Sequence, residues 1–463
     1  MALRKSNALI TSESTPDSRA LVVARSGWWL AAILALAVAF RWLGPFLQHS
    51  TGDSPHYVAL AMKLRTSGLS GYNLRGVDLC TRSLDASLVQ HLMQLKPSSP
   101  SDLEGDLIRD LRREGLGYYD EPLHHIAYGY PVLLACVHVL SGNAPQTGWE
   151  LVNTSLEPWD LIRFQPLILA VVQWHWLAPS FLCSLGAVLL TYILGAEWFG
   201  KAAGLWGAFL MATFPVDILT AQRIWADDAL VFLCLAALLC GWLALERRSM
   251  IAALCGGILL GIAFLMKQSA LFFAASVGMV ELMRWRKQSQ TPPANSSPCL
   301  SGRLIAVCVA GLFLAVGHWL FIEWKAWGTL FPVPKGLAAI ATNPWHQVLM
   351  DRPSPIILYT VGLAVLSPGI FLAGMRFREP RIRWILLTAV CYAAFIVAVD
   401  GREYRYVLPV IPLLAMAAGH FLAQIGGRWK AVLVLLVIGQ IAWSFFLTDR
   451  YAWRNSGEIM IPF

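Results

Sequence analysis

The stretch IAALCGGILLGIAFLMKQSALFFAASVGMVELM, residues 251–283, decides the fold class of this chain. It contains two apolar runs, residues 251–266 and 269–283, on either side of Lys267. As helices, such runs approach the roughly 30 Å apolar thickness of a bilayer. Similar runs recur along the 463 residues, of which 57% are hydrophobic and only 14% charged, whereas soluble proteins carry about 25% charged residues. The chain is therefore predicted to be an all-α polytopic membrane protein.

Basic residues between the apolar runs predict how the chain crosses the membrane. We expect about 11 transmembrane helices (range 10–13): residues 27–47, 166–194, 204–220, 229–244, 251–266, 269–283, 304–322, 356–374, 384–399, 406–423 and 431–447. Residues 1–26 form a cytoplasmic tail, 48–165 a large extracytoplasmic loop with juxtamembrane helices, 166–448 the helix bundle, and 449–463 a short extracytoplasmic tail. Residues 124–140 could cross as well, but every later loop would then change sides, so a helix at the outer surface is preferred.

Several kinds of site have no support in the sequence. The chain has no CxxC, HExxH, GxSxG or P-loop pattern, and its histidines follow no metal-ligand spacing. We predict no metal and no other cofactor. The net charge of +8 is expected in cytoplasmic loops, so it does not indicate nucleic-acid binding.

The remaining charges gather at the predicted outer ends of the helices. They are Asp53, Arg223, Asp227, Asp228, Lys267, Asp400, Arg402, Glu403 and Arg405. Each also has an ordinary interpretation. Asp53 could be a polar loop residue, Lys267 could extend to the interface, Asp227 could pair with Arg223 one turn away, and the group around Asp400 could be a solvated turn. As a set, they indicate a shared site.

Five segments together resemble the C-type (GT-C) membrane glycosyltransferases, which include the dolichyl-phosphate-mannose protein mannosyltransferases and the bacterial lipid A aminoarabinose transferase. The segments are GDSPHYVALAMKL (52–64), EPLHHIAYGYPVLLA (121–135), AQRIWADDALVFL (221–233), GILLGIAFLMKQSAL (257–271) and EYRYVLPVIPLLA (403–415). The chain departs from the family pattern at Ser54, where a second acid is common, and at Glu121, where a basic residue is expected before two prolines. Within the third segment, Asp227 matches the family's acid better than Asp228.

The resemblance implies transfer of a sugar from a polyprenyl-phosphate donor to an acceptor hydroxyl on a lipid, glycan or protein. It implies that Asp53 is the catalytic base and that substrate-binding residues include cations that stabilise the leaving phosphate. The substrate-binding set is Tyr57, Arg223, Asp227, Lys267, Arg402, Arg405 and Tyr406. The Trp-rich segment 317–335 could shape the groove for the lipid tail or simply anchor the chain at the interface.

Two other functions are compatible with a polytopic chain. A transporter or lipid-linked-sugar flippase would usually show internal repeats and broken helices at the membrane midplane, and no clear repeat is seen here. A scaffold would not need the charged set at the outer helix ends. The expected location is the bacterial inner membrane, with the site facing the exterior.

Overall fold

The computed structural model describes residues 16–43, 128–142, 174–290, 298–327, 367–398, 404–425 and 430–454, together with Tyr57, Ala61, Leu64, Arg65 and Gly68. These residues form helices and connecting turns, and no strand occurs among them. In chain order the helices are α1 Pro16–Leu43, α2 Gly129–Leu140, α3 Trp174–Phe199, α4 Lys201–Ala212, α5 Pro215–Ala221, α6 Asp227–Arg247, α7 Met250–Met266, α8 Ala270–Gln290, α9 Pro298–Trp327, α10 Pro380–Ala398, α11 Ile411–Ala423 and α12 Lys430–Arg454. Two 3₁₀ helices, Pro368–Arg376 and Tyr404–Val410, precede α10 and α11.

The all-α membrane fold predicted from the sequence is confirmed. Five helices of the described part are long and apolar enough to cross a membrane, and a sixth span results when α4 and α5 are taken as one bent unit. Four further apolar helices are shorter. Each of the eleven predicted segments contains described helix, but the eighth does so only through the 3₁₀ helix Pro368–Arg376. The count of eleven crossings stays a prediction, as do the segment boundaries.

The third predicted crossing, residues 204–220, is divided into two helices. Helices α4 and α5 meet at an angle of 61°. Pro215 begins α5, and the preceding residue, Phe214, is extended, with φ −79° and ψ 116°. Proline disfavours helical backbone at the residue before it and suits the first helical position. The sequence Phe214-Pro215 therefore ends one helix and starts the next.

Helices α6 and α7 form an antiparallel hairpin. Arg248 turns the chain with a positive φ of 52°, and the Ser249 side chain then caps α7 by accepting a hydrogen bond from the Ala252 N–H at 3.2 Å. Because α6 starts at Asp227 and α7 ends just before Lys267, the hairpin brings these two residues to the same end of the bundle.

Close packing holds α7 against α9. A Cβ atom added to Gly257 would lie 1.9 Å from the carbonyl oxygen of Cys308, and one added to Gly311 would lie 2.5 Å from that of Leu254. Only glycine allows this backbone approach, which is a common way for membrane helices to associate.

The end of the hairpin away from Asp227 is basic and rich in tryptophan. Arg247 and Arg248 lie in the turn there. Trp198 packs edge-on against Trp242 and Trp384, and the guanidinium of Arg381 donates to the Trp198 carbonyl. The two ends of the bundle thus differ in chemistry. The basic end carries interfacial aromatics, and the other end carries Asp227 and its partners.

Candidate active site

A buried group of charges lies where α6 begins and α7 ends. The Lys267 ammonium donates to Asp227 Oδ1 at 2.7 Å, and Arg405 Nη1 lies 3.7 Å from Asp227 Oδ2. The side chains of Asp227 and Arg405 are 3% and 4% exposed, and that of Lys267 is 15% exposed. Three segments distant in sequence therefore meet at one carboxylate.

Aromatic rings separate and orient the cations. The Arg405 guanidinium lies 4.2 Å from the centre of the Trp225 ring, and Arg223 lies 4.6 Å from the same ring. Lys267 lies 4.7 Å from the centre of Tyr406. Stacking of this kind attracts a cation without neutralising its charge. We call these six residues the Asp227 cluster: Arg223, Trp225, Asp227, Lys267, Arg405 and Tyr406.

Local backbone structure explains how the cluster is presented. Asp227 and Asp228 occupy the first turn of α6, where the positive end of the helix dipole favours acids. Lys267 follows the last residue of α7 in extended conformation, with φ −155°, so its side chain leaves the helix axis. Arg405 and Tyr406 lie in the 3₁₀ helix Tyr404–Val410, which leads into α11. Asp227, Lys267 and Arg405 thus all sit at helix termini.

The segment after the first helix reaches this end of the bundle through Tyr57. The Tyr57 ring packs edge-on against Tyr130, with 4.9 Å between ring centres, and belongs to a buried apolar group with Ile224 and Ala226. The Tyr130 hydroxyl bonds to Ser180 Oγ at 2.6 Å, and Ser180 donates to the Trp225 carbonyl at 3.0 Å. A chain of contacts therefore joins Tyr57 to the turn that carries Trp225.

Tyr130 stays neutral in this setting. Burial raises the pKa of Tyr130 well above its ordinary value of 10, because a phenolate has no solvation there. The hydroxyl thus acts as a hydrogen-bonding group.

Gly129 explains the Gly-Tyr-Pro part of the second motif. A Cβ atom at this position would lie 2.6 Å from both the carbonyl carbon and the carbonyl oxygen of Leu265. Glycine therefore lets α2 rest directly on the backbone two residues before Lys267. At 12 residues, α2 is about 18 Å long, shorter than the apolar core of a bilayer.

A second polar group lies deeper in the bundle. Arg41 of α1 forms an ion pair with Asp217 of α5 and donates from Nε to Ser184 Oγ at 2.6 Å. Ser184 donates to the same Asp217 oxygen at 2.6 Å, and Thr220 donates to Asp228 Oδ1 at 2.9 Å. All five side chains are fully buried. We call Arg41, Ser184, Asp217, Thr220 and Asp228 the Arg41 network.

The structure brings together five of the eight residues predicted for the site: Arg223, Asp227, Lys267, Arg405 and Tyr406. Tyr57 lies beside them against Tyr130. Asp53 and Arg402 lie outside the described residues, as do Asp400 and Glu403 of the wider charged set. Asp227 contacts Lys267, whereas Asp228 contacts Thr220. Of these two neighbouring acids, Asp227 thus belongs to the Asp227 cluster and Asp228 to the Arg41 network.

Sequence reasoning missed Trp225, Tyr130, Ser180 and most of the Arg41 network. One signal was available for Arg41 and Asp217, since each is an ionisable residue next to or inside an apolar run. Within the described part, no group of three or more histidine, cysteine, aspartate or glutamate side chains could hold a metal ion. The predicted lack of a metal stays a prediction.

Comparison with known proteins shows what this architecture is similar to. The dolichyl-phosphate-mannose-protein mannosyltransferase family matches residues 157–314. ArnT from Cupriavidus metallidurans, solved in the apo state and bound to undecaprenyl phosphate, has the same fold, with a TM-score of 0.55 and 16% identity in the apo form. That alignment covers 89% of this chain and 62% of the ArnT chain.

The chain therefore has the GT-C fold, and residues 157–314, a third of its length, are similar to the mannosyltransferase family. Archaeal oligosaccharyltransferase AglB from Archaeoglobus fulgidus, solved with an inhibitory peptide and a dolichol-phosphate, also shares the GT-C fold, with a TM-score of 0.51 and 14% identity over 94% of this chain and 56% of its own. The mouse GPI alpha-1,2-mannosyltransferase 3 is 27% identical over 146 residues, which are 31% of this chain and 25% of the mouse protein. This GT-C chain thus spans a quarter of that curated relative and about six-tenths of the ArnT chain.

Proposed function

We propose that this GT-C protein is a membrane glycosyltransferase that moves a sugar from a polyprenyl-phosphate donor to an acceptor hydroxyl at the extracytoplasmic face. The Asp227 cluster is the observation that carries the proposal. Among the described residues it gathers three cations around one carboxylate. Several cations converging in a site of such low exposure suit an anionic ligand, and a lipid phosphate supplies one.

The reaction needs that positive charge at a defined moment. The acceptor oxygen attacks the anomeric carbon of the donor sugar, and the bond from that carbon to the phosphate oxygen breaks. The bonding electrons leave with the lipid phosphate, whose negative charge increases. Lys267 and Arg405 stabilise this leaving group, and Arg223, which contacts the same Trp225 ring as Arg405, adds to the positive field.

The acceptor hydroxyl loses its proton as it attacks, and Asp53 is proposed as the base. Asp53 precedes Tyr57 by four residues. Four residues of chain span at most about 14 Å, and Tyr57 packs against the start of α6 beside the Asp227 cluster. This tether supports a role for Asp53 at the same site. Arg402 precedes Arg405 by three residues and is proposed as a further phosphate contact.

The orientation follows from charge. Arg247, Arg248 and Arg381 lie at the end of the bundle opposite the Asp227 cluster. Basic residues favour the cytoplasmic side, so the cluster is proposed to face outward. The expected setting is a bacterial inner membrane. ArnT was solved with undecaprenyl phosphate and AglB with a dolichol-phosphate and a peptide, which supports a lipid-linked donor here. The proposed acceptor is a hydroxyl of a lipid, a glycan or a protein.

The test is a transfer assay with the full chain in proteoliposomes that hold a polyprenyl-phosphate sugar labelled in the sugar. We expect sugar transfer and matching release of polyprenyl phosphate. Asp53→Asn should lower the rate at least about 100-fold, because general-base catalysis contributes about 10² to 10⁴. Asp102→Asn, a change of another acid in the same predicted loop, is the matched control. Movement of the intact donor across the bilayer without transfer, unaffected by Asp53→Asn, would instead favour a flippase.

A further inference from the structure

Two carboxylic acids of the Arg41 network face one another inside the bundle. Asp217 and Asp228 are both fully buried and close enough for their charges to interact, and the Thr220 hydroxyl contacts both, at 3.1 Å from the Asp217 carbonyl oxygen and 2.9 Å from Asp228 Oδ1. Asp217 Oδ2 accepts hydrogen bonds from Arg41 and Ser184, and Asp228 Oδ1 accepts one from Thr220. The other two oxygens, Asp217 Oδ1 and Asp228 Oδ2, have no other donor among the described residues.

The charges of this group do not balance if both acids are ionised. Arg41 supplies one positive charge against two carboxylates, and the next acid, Asp227, is already occupied by Lys267 and Arg405. Among the residues that the structure describes, the other titratable groups near Asp228 are Tyr130 and Cys183, neither of which carries a positive charge. An uncompensated buried carboxylate is costly, and two carboxylates in contact cannot both ionise readily.

We infer that Asp228 holds a proton and donates it from Oδ2 to Asp217 Oδ1, so that the Arg41 network is neutral and acts as a positioning device for Asp227. Asp217 remains the ionised member because Arg41 and Ser184 both donate to it. One shared proton thus satisfies the two oxygens that lack any other donor.

The network connects the two parts of the site, and this role rests on the proposed function. Arg41 lies near the C-terminal end of α1, and Gln222 donates to the Phe40 carbonyl at 3.1 Å at that same end. The chain continues from α1 to Asp53. On the other side, Asp228 lies in the first turn of α6, next to Asp227. The network therefore fixes the end of α1 relative to the start of α6.

The protonation state can be tested without any transfer assay. The infrared spectrum of the full chain in lipid should show a band of a protonated carboxylic acid at neutral pH. This band should be lost in Asp228→Asn and kept in Asp227→Asn, which serves as the matched control. Absence of the band in the unmodified protein, or its survival in Asp228→Asn, would overturn the inference.

Substitutions then separate a neutral hydrogen-bonding role from a charged one. Asn keeps an N–H donor in place of the acid O–H, so Asp228→Asn should retain the thermal midpoint and transfer within about threefold. Asp228→Val removes the donor, and Asp217→Asn removes the charge that faces Arg41, so both should reduce kcat more than tenfold with a smaller change in KM. A loss in Asp228→Asn as large as in Asp228→Val would contradict the inference. If the unmodified protein has no transfer activity but shows the infrared band, and Asp228→Asn loses that band, the protonation inference stands and the proposed function is overturned.

Discussion

The Lys267 ammonium lies 2.7 Å from the Asp227 carboxylate, although the two residues are 40 positions apart in the chain. The α6–α7 hairpin accounts for this contact, because it returns the chain to the end at which it started. Lys267 therefore has a structural counter-ion before any substrate arrives, and Arg405 shares that counter-ion from a third segment. The two cations are thus held in place beside Arg223, the third cation of the cluster.

Removing the charge of Lys267 should impair the transfer step. We expect Lys267→Met to lower kcat about 10² to 10³-fold, the loss typical of one donor that stabilises a developing anion. Lys267→Arg should recover part of the rate because it restores the charge with a different shape. Steady-state kinetics with the lipid-linked donor measure this. Arg303→Met, a change of an exposed cation outside the Asp227 cluster, is the control, and equal rates for the two Met variants would refute the assignment.

The Trp225 ring should contribute to donor binding through Arg405. A cation over an aromatic face is worth about 0.5 to 2 kcal/mol, so loss of the ring should raise the Kd for polyprenyl phosphate about 2- to 30-fold. Trp225→Leu removes the ring, and Trp225→Phe keeps an aromatic face. Binding titrations below the melting temperature of both variants should give a lower Kd for Trp225→Phe than for Trp225→Leu. Trp28→Leu, at a position 78% exposed, controls for general loss of tryptophan.

The sequence predicted which charges would meet, because each lies beside a helix end whose side of the membrane follows from helix length and loop charge. Asp227, Lys267 and Arg405 are of this kind. The pairing of Arg41 with Asp217 could not be predicted, since it depends on the rotation of α1 and on the break before Pro215. Likewise, the contact of Trp225 with two arginines depends on the fold of the turn before α6. That turn has no periodicity from which its side-chain directions could be inferred.

Gly129 should be intolerant of even a methyl group. The added carbon in Gly129→Ala would collide with the Leu265 backbone, so α2 must move away from the segment that carries Lys267. We expect a lower thermal midpoint and a transfer rate reduced more than tenfold. Gly278→Ala is the matched control, because a Cβ there meets nothing within 4 Å and alanine favours the helix. Equal midpoints for the two variants would show that α2 does not depend on this contact.

At the basic end, Glu379 should give a pH-dependent contribution to stability. Partial burial acts to raise the pKa of Glu379, but hydrogen bonds and charge from Arg376 and His420 outweigh it, so the pKa falls below its ordinary 4.5. An acid whose pKa is lowered by folding stabilises the folded protein at pH values above its ordinary pKa of 4.5. This stabilisation is lost as the pH falls through the pKa of the folded state.

Glu379→Gln should therefore lower the thermal midpoint at pH 7, and the difference from the unmodified protein should shrink in acid below pH 4.5. Added salt should also reduce it, since the pair with Arg376 is exposed. Glu246→Gln, at an exposed position on the same end, should change the midpoint little at any pH. A difference that stays constant across the whole range would contradict the ion-pair explanation.

The break at Phe214-Pro215 has a consequence for how such proteins diverge. A straight helix over these residues would have the same hydropathy, but α5 would then point along the bundle and Asp217 would no longer reach Arg41. A comparison based on hydropathy alone would not distinguish the chain with this break from a chain with a straight helix. Substitutions at this one dipeptide would therefore remove the Arg41–Asp217 pair, and the site that depends on it, without a change in hydropathy.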